Sequence, residues 1–387
     1  MSAATSTSQL PGTCWLRGLR PNNFPGLVPR LAFHIGRALV PDGPKVAADT
    51  GALITCSGPS LVLEDGGTVS PQAERIGVVG AGVIGLSTAV LAQRRGRGVT
   101  LYTDSPPMET TSAKAAASFK PHEVVLNELA HRMLVRAWSH FDQLANDPGT
   151  HCGVRLHTHW EASSARLPDK PYLSVVKNVE ALEWPKVPGG YAFGLRYTTY
   201  FVDMAVYLPW LAAEFARNGG EIVFLPRRFQ ALDELGRLPH QVIINCTGLG
   251  ARLLCNDANV YPIKGQVAIV GPQPDMDWSI SADGFYVYPR STDTVIGGTT
   301  EHHVDTETTD RTALSLLVRA NRRILPHLSD ASILRSAAGL RPFRDQTIRV
   351  EAETVADRRI VHNYGHGGAG ITLSWGSAQL ALDVALT

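Results

Sequence analysis

Gly80, Gly82 and Gly85 stand in the spacing G-x-G-x-x-G directly after the apolar run Arg75-Ile76-Gly77-Val78-Val79. That spacing suits binding of a pyrophosphate. The first glycine permits a tight turn, the second lets the backbone approach the phosphates, and the third lets a following helix pack on the strand. The helix N-terminus adds free N–H groups and the positive end of a dipole. Asp104 closes a second β-type run, Gly98–Tyr102. Its carboxylate suits ribose hydroxyls and disfavours a 2′-phosphate. A further glycine run, Gly365–Gly370, precedes a helical segment, Thr372–Leu386, and offers backbone N–H groups to another negative charge. Arg341 carries a planar fork suited to a carboxylate. Tyr286 carries a phenol, and alternation in an aromatic run places it on one face with Tyr288. Each feature also has a plainer reading: a solvated or ion-paired arginine, core packing of the two tyrosines, and flexible turns.

The elements that must position these residues follow the same order. Leu86–Gly96 reads as a helix stopped by glycine, so the first segment is strand, glycine loop, helix, strand, acid. Leu208–Asn218 reads as a helix, Glu221–Leu225 as a strand and Val242–Asn245 as a buried strand. They resume a βαβ region after a long insertion. The fold class expected is α/β, with a Rossmann-like dinucleotide domain. The glycine spacing does not separate NAD from FAD.

Four further segments resemble the D-amino-acid oxidase family. They are Asp104–Ala117 (DSPPMETTSAKAAA), Gln241–Gly250 (QVIINCTGLG), and Phe285–Arg290 (FYVYPR) with Gly297-Gly298-Thr299. The fourth runs from Gly339-Leu340-Arg341-Pro342 through Arg349-Val350-Glu351 to His362–Thr372 (HNYGHGGAGIT). The likeness runs from about Arg75 to the C-terminus, and its most specific motif is the HNYGHGG stretch. It implies FAD as cofactor, with an amino acid as substrate and O2 as electron acceptor. It also implies an FAD-binding domain of residues 75–119, 202–255 and 335–387, interleaved with a mixed-sheet substrate domain of residues 120–201 and 256–334. Cofactor contacts are implied at Gly80, Gly82, Val83, Ile84, Gly85, Asp104, Thr110, Thr111, Ser112, Ala116, Ala117, Phe229, Gly367, Gly368, Gly370, Ile371 and Thr372. Arg341 and Tyr286 would hold the substrate carboxylate, and the Gly368 carbonyl would face the amine. No general base is required, because an unprotonated amine can drive hydride from Cα.

The sequence departs from the family's pattern at Lys120 and His122, where uncharged residues are expected, and at Ala282 and Ala369, where bulkier ones are common. Two fates are open for Lys120, snorkelling to solvent, which is the default for a lone lysine, or a place at the pocket mouth, where Lys120 or His122 would meet a second carboxylate. The chain could therefore be a D-aspartate or D-glutamate oxidase instead of a neutral-substrate oxidase. Also open are a glycine-, sarcosine- or amine-oxidising relative, a flavin dehydrogenase using another acceptor, and a silent FAD-binding protein. His302-His303 reads as a solvated loop, since no metal-ligand spacing accompanies it.

Composition narrows the class. With 36 basic and 35 acidic residues the net charge is +1, which gives no bulk attraction to nucleic acid or an anionic membrane. Five cysteines, odd in number and without CxxC spacing, argue against a disulfide framework or zinc site and fit a reducing, cytoplasmic compartment. No run of about 18 apolar residues occurs. The oligomeric state is open, with a homodimer as the candidate. Residues 1–74 are rich in Pro and Gly, and they lack Asp and Glu up to Val40 while carrying Arg17, Arg20, Arg30 and Arg37. That composition is transit-like without the amphipathic period, so the expectation is a disordered leader or a start placed too far upstream.

Overall fold

The computed structural model describes residues 75–387, so the expectation for the leader lies outside the described residues. A six-stranded sheet carries the strands Arg349–Val355, Arg358–Tyr364, Val242–Asn245, Ile76–Val79, Val99–Thr103 and Glu221–Phe224 in that spatial order. The first pair is antiparallel and every other pairing is parallel. The central strands are covered on both faces, which is why Ile76–Val79 and Val99–Thr103 are buried along their whole length. The helices Val83–Arg94, Met204–Arg217 and Gly370–Ala385 pack together over this sheet.

A second, ten-stranded sheet is built around the long strands Val154–Ser163, Phe193–Val202 and Val260–Val270. The hairpin Phe285–Pro289 with Thr294–Gly297 lies within it. Its separate core includes Ile280, Val287, Ile296 and Leu317, the last from the helix Arg311–Asn321. Residues 75–119 and 335–387, expected wholly in the cofactor domain, each lend a strand to this larger sheet. Ala117–Ser118 pairs with Phe193–Val202, and Arg335–Arg344 pairs with Val260–Val270.

Several element bounds differ from expectation for identifiable reasons. The first helix begins at Val83, not Leu86, because the glycine pattern hides its opening turn. The helix expected from Leu208 begins at Met204, where the Asp203 carboxylate accepts from the Ala205 N–H. Pro209 sits inside that helix. The helix Glu128–Asn146 is capped by Asn127, whose Oδ1 accepts from the Ala130 N–H at 3.0 Å. Residues 120–127 form irregular structure that lines the site. Among the described residues no helix is long and apolar enough to cross a membrane.

Candidate functional site

The glycine loop sits at the C-terminal end of the parallel strands. Gly80 has φ +110° and donates its N–H to the Tyr102 carbonyl at 2.8 Å. A Cβ on Gly80 would lie 2.5 Å from the Cys246 carbonyl oxygen, and one on Gly85 only 1.8 Å from the Gly80 oxygen. Loop, helix and neighbouring strand thus approach at backbone distance, as a phosphate cradle requires. Gly82 caps the helix without a side-chain bond, and the Val83 N–H donates to Ser112 Oγ at 3.0 Å. The segment Thr110–Ser112 is thereby held beside the helix N-terminus. Asp104 follows the second strand, and its Oδ2 accepts from Arg228 Nε at 2.8 Å.

These residues line one cavity of about 650 Å3. Gly80, Gly82, Val83, Ile84 and Asp104 lie along one stretch of it, with Thr110, Thr111, Ser112, Ala116, Ala117 and Phe229 alongside. Gly85 does not line it and serves from beneath, under the Gly80 carbonyl. Gly367, Gly368, Gly370, Ile371 and Thr372 line the same cavity, where the helix Gly370–Ala385 begins. Backbone again touches backbone: the Gly368 N–H donates to the Glu123 carbonyl at 3.2 Å, and a Cβ on Gly367 would fall 1.8 Å from that same oxygen. Thr372 is less free than expected, since its hydroxyl donates to the Ser118 and Lys120 carbonyls, each at 3.3 Å.

Arg341 comes from the strand Arg335–Arg344 and reaches across its partner strand. Its Nη1 donates to the Thr299 carbonyl at 3.1 Å and, at 3.4 Å, to that of Lys264. No carboxylate pairs with it among the described residues. Tyr286 and Tyr288 share a face as expected, with ring centroids 4.7 Å apart. The Tyr286 ring is pressed against Gly297 and Gly298, and burial raises its phenol pKa, so the O–H stays protonated. Its hydroxyl makes no hydrogen bond with a described residue. Ala282 lines the cavity from a buried strand.

Lys120 does not snorkel to solvent. It lines the cavity, and burial lowers its pKa against the opposing field of Glu161. Its ammonium has no hydrogen bond or ion pair among the described residues. His122 shows 44% of its side chain to the cavity, and the protein packed behind it, with Arg341 and Lys120, drives its pKa to about 3. It is therefore neutral. His302, expected in a loop, ends the two-residue strand Glu301–His302 and pairs with Ile263, while His303 stacks on Tyr261 at 4.0 Å. Among the described residues no group of three His, Cys, Asp or Glu could hold a metal ion.

Sequence reasoning missed Glu161, a buried carboxylate on the cavity wall. It accepts from Tyr197 at 2.7 Å, from Tyr172, and from Lys170, which also lines the cavity. Burial alone would raise its pKa, but Lys120, Lys170 and the donated hydrogen bonds bring it below the ordinary carboxylate value. A signal was present in the alternation of His157, His159 and Glu161, three polar residues on one face of a strand. Arg228 and the Lys114–Glu307 ion pair were also missed, because each is joined across long sequence separations.

The chain matches the FAD dependent oxidoreductase family over residues 75–384. It is 34% identical over 326 residues to a D-amino-acid oxidase of Streptomyces coelicolor, covering 80% of this chain and 95% of that relative. With a D-amino-acid oxidase of Rubrobacter xylanophilus the identity is 36% over 315 residues, covering 80% and 94%. A D-aspartate oxidase of Homo sapiens is 31% identical over 319 residues, covering 79% and 92%. Among solved structures, glycine oxidase from Bacillus cereus superposes with a TM-score of 0.64 at 19% identity, covering 81% of this chain and 95% of that one. An FAD-bound L-α-glycerophosphate oxidase from Mycoplasma pneumoniae gives 0.64 at 16% identity, covering 81% and 94%. At such identities these two structures show the shared fold.

Proposed function

We infer, for a chain that belongs to the FAD dependent oxidoreductase family, that it is a D-amino-acid oxidase yielding a 2-oxo acid, ammonia and hydrogen peroxide. The observation that carries the site assignment is Arg341, a guanidinium on the cavity wall with no carboxylate of its own. A buried or half-buried cation without a partner is costly, and a substrate carboxylate relieves that cost by a bidentate pair. Tyr286 adds a neutral O–H donor from the same wall.

The residues present fit FAD. Two helix N-termini open on one cavity, and at Gly80, Gly85 and Gly367 a Cβ would collide with backbone, so only glycine allows these close approaches. Gly80, Gly82, Val83 and Ile84 would hold the pyrophosphate, Asp104 the ribose, and Phe229 the adenine end. Thr110–Ser112, Ala116 and Ala117 would flank the cofactor further in, with Gly367, Gly370, Ile371 and Thr372 beside the flavin. Bound FAD would supply a hydride acceptor for Cα and a route for the electron pair to oxygen. Arg341 and Tyr286 fix the carboxylate, and the Gly368 carbonyl faces the amine, so Cα is presented in one orientation. His122 is neutral and adds no charge beside that carboxylate.

A second reading, for acidic D-amino acids, is favoured by Lys120. A second carboxylate would give its unpaired ammonium a partner, since Glu161 is already engaged by Lys170, Tyr172 and Tyr197. A homodimer working in the cytoplasm belongs to the same proposal, and sedimentation and cell fractionation test it. The decisive experiment for function is oxygen uptake with coupled peroxide detection on FAD-loaded protein, over a panel of D- and L-amino acids. Turnover of D-amino acids with peroxide release is expected. Reduction of a dye without oxygen uptake would make the protein a dehydrogenase. A yellow protein with no turnover at all would leave an FAD-binding protein.

A further inference from the structure

We propose that Tyr288 binds the substrate as well: its hydroxyl oxygen accepts a hydrogen bond from the substrate amine, because a buried chain of side chains turns its proton away from the cavity. This assignment rests on the amino-acid oxidase reading of the site. Tyr288 and Ser281 both line the cavity. The Tyr288 hydroxyl lies 3.4 Å from Ser281 Oγ, which lies 3.2 Å from His159 Nε2. His159 Nδ1 lies 2.6 Å from Ser279 Oγ, and Ser279 in turn meets His157 Nε2. His157, His159 and Ser279 are buried.

Both histidines are neutral, because burial lowers the pKa of His157 to about 4 and that of His159 well below its ordinary value. Each ring therefore carries one proton, and Ser279 has one proton to place between two ring nitrogens. Two arrangements run the whole chain in one direction and give each serine proton a nitrogen or oxygen acceptor within it. In one, every donor points away from the cavity. Tyr288 donates to Ser281, Ser281 to His159 Nε2, His159 Nδ1–H to Ser279, and Ser279 to His157 Nε2, which leaves the proton of His157 on Nδ1. In the other, every bond is reversed and His157 Nδ1 is a bare lone pair.

The far end decides between them. His157 Nδ1 is buried without a hydrogen-bond partner, and His157 Nε2 is taken by Ser279; against burial and Arg155, which disfavour a charged ring, the backbone of Asp277 is the one neighbour that favours an N–H on it. An N–H facing that backbone is better satisfied than a buried lone pair facing it. The outward arrangement wins, and Tyr288 is left with an oxygen lone pair toward the cavity. Burial raises the Tyr288 pKa strongly, so it remains a neutral phenol throughout the working range. Its neighbour Tyr286, stacked at 4.7 Å, has a proton with no described acceptor and is a donor. The two stacked phenols thus present opposite faces of the same chemistry: Tyr286 gives to the carboxylate and Tyr288 takes from the amine. Ser281, His159 and Ser279 are positioning residues.

The test uses two ligands that cannot be oxidised at Cα: 2-aminoisobutyrate, and its isostere 2,2-dimethylpropanoate, in which a methyl replaces the amine. Both are titrated against FAD-loaded full-length protein by the change in flavin absorbance. Tyr288→Phe should weaken 2-aminoisobutyrate by about ten-fold and leave 2,2-dimethylpropanoate unchanged, the loss of one hydrogen bond. Tyr286→Phe should weaken both. Equal effects of Tyr288→Phe on the two ligands, or none on either, overturn the assignment while leaving the oxidase reading intact. A parent protein that binds neither ligand overturns both. On the unaltered protein, 15N resonances of the imidazoles give a second check. Nδ1 protonation of His157 and His159 is expected, and Nε2 protonation of His159 reverses the chain and refutes the proposal.

Discussion

Gly265→Ala tests the carboxylate fork without touching any group that does chemistry. Gly265 lies opposite Gly339, and Arg341 is the next residue along that strand on the same face, so the two are diagonal cross-strand neighbours. A Cβ on Gly265 would fall 2.1 Å from Arg341 Nη2, 2.4 Å from Cζ and 2.7 Å from Nη1. Carbon and nitrogen atoms in contact want about 3.5 Å, so the guanidinium must move by roughly 1 Å or more. Gly265 does not have a positive φ, so alanine fits its backbone, and the obstacle is the far end of a flexible side chain. Stability and FAD content should therefore stay near the parent's. A misplacement of about 1 Å in a positioning group costs on the order of 100-fold in rate. We expect kcat/KM for a D-amino acid to fall by about that factor, with a parallel loss of affinity for 2,2-dimethylpropanoate. Both are read by peroxide-coupled assay and flavin titration, with a thermal melt as control. An efficiency within about three-fold of the parent would show that the fork is not where the substrate carboxylate binds.

Arg341→Leu should lose about 2–5 kcal/mol of transition-state binding, roughly thirty- to several-thousand-fold in kcat/KM, while the flavin spectrum persists. Tyr286→Phe should cost less, about 1–3 kcal/mol, because one neutral donor is lost. Lys120→Met should lower the ratio of D-aspartate or D-glutamate to D-alanine turnover if a second carboxylate meets the ammonium, and an unchanged ratio removes Lys120 from specificity. Gly85→Ala should abolish FAD retention after gel filtration, since its Cβ would lie 1.8 Å from the Gly80 oxygen; a yellow eluate would contradict the cradle. His366, buried beside the glycine run and bonded to Ser377 at 2.6 Å, has its pKa lowered to about 3 by burial. The unfolded chain binds that proton near pH 6.5, so stability from this group is full above that value and falls as pH drops toward 3. Acid release of FAD, followed by flavin fluorescence, should shift to lower pH in His366→Gln.

What the sequence made legible was local. The spacing of Gly80, Gly82 and Gly85 and the acid at Asp104 lie within about thirty residues of chain, so their joint meaning is readable without the fold. Arg341, Tyr286 and the Gly365–Gly370 run gained meaning only through likeness to a family, because each alone is a common surface, core or turn residue. What stayed hidden depends on pairing between distant strands. Lys120 is turned inward by the irregular segment 120–127, whose Glu123 carbonyl is held by the Gly368 N–H. The charge facing Lys120 comes from Glu161 on the larger sheet's strand Val154–Ser163, about forty residues along the chain. The chain starts at Tyr288 on the strand Phe285–Pro289 and then, from Ser281 to His157, alternates between Trp278–Ala282 and Val154–Ser163, and no periodicity within one segment reveals it.

The segment from Arg335 to Ala385 explains how a site at the meeting of two sheets keeps a fixed geometry. Its first strand pairs within the larger sheet, and its hairpin Arg349–Tyr364 pairs within the smaller one. It then supplies the glycine run and the helix that opens on the cavity. The strand that carries Arg341 is tied to the glycine run by the bridge between Phe343 and His366. A Cβ on Gly368 would lie 2.8 Å from the His122 carbonyl oxygen and 3.1 Å from Arg341 Cδ, so little room separates fork and glycine run. The distance from carboxylate fork to glycine run is thus set in part by contacts inside one continuous segment, with the Thr299 and Lys264 carbonyls holding the guanidinium and the Glu123 carbonyl holding Gly368. Changes at the larger sheet's outer strands should therefore alter stability before they alter substrate alignment, whereas Gly368→Ala, which wedges fork and glycine run apart, should alter alignment first.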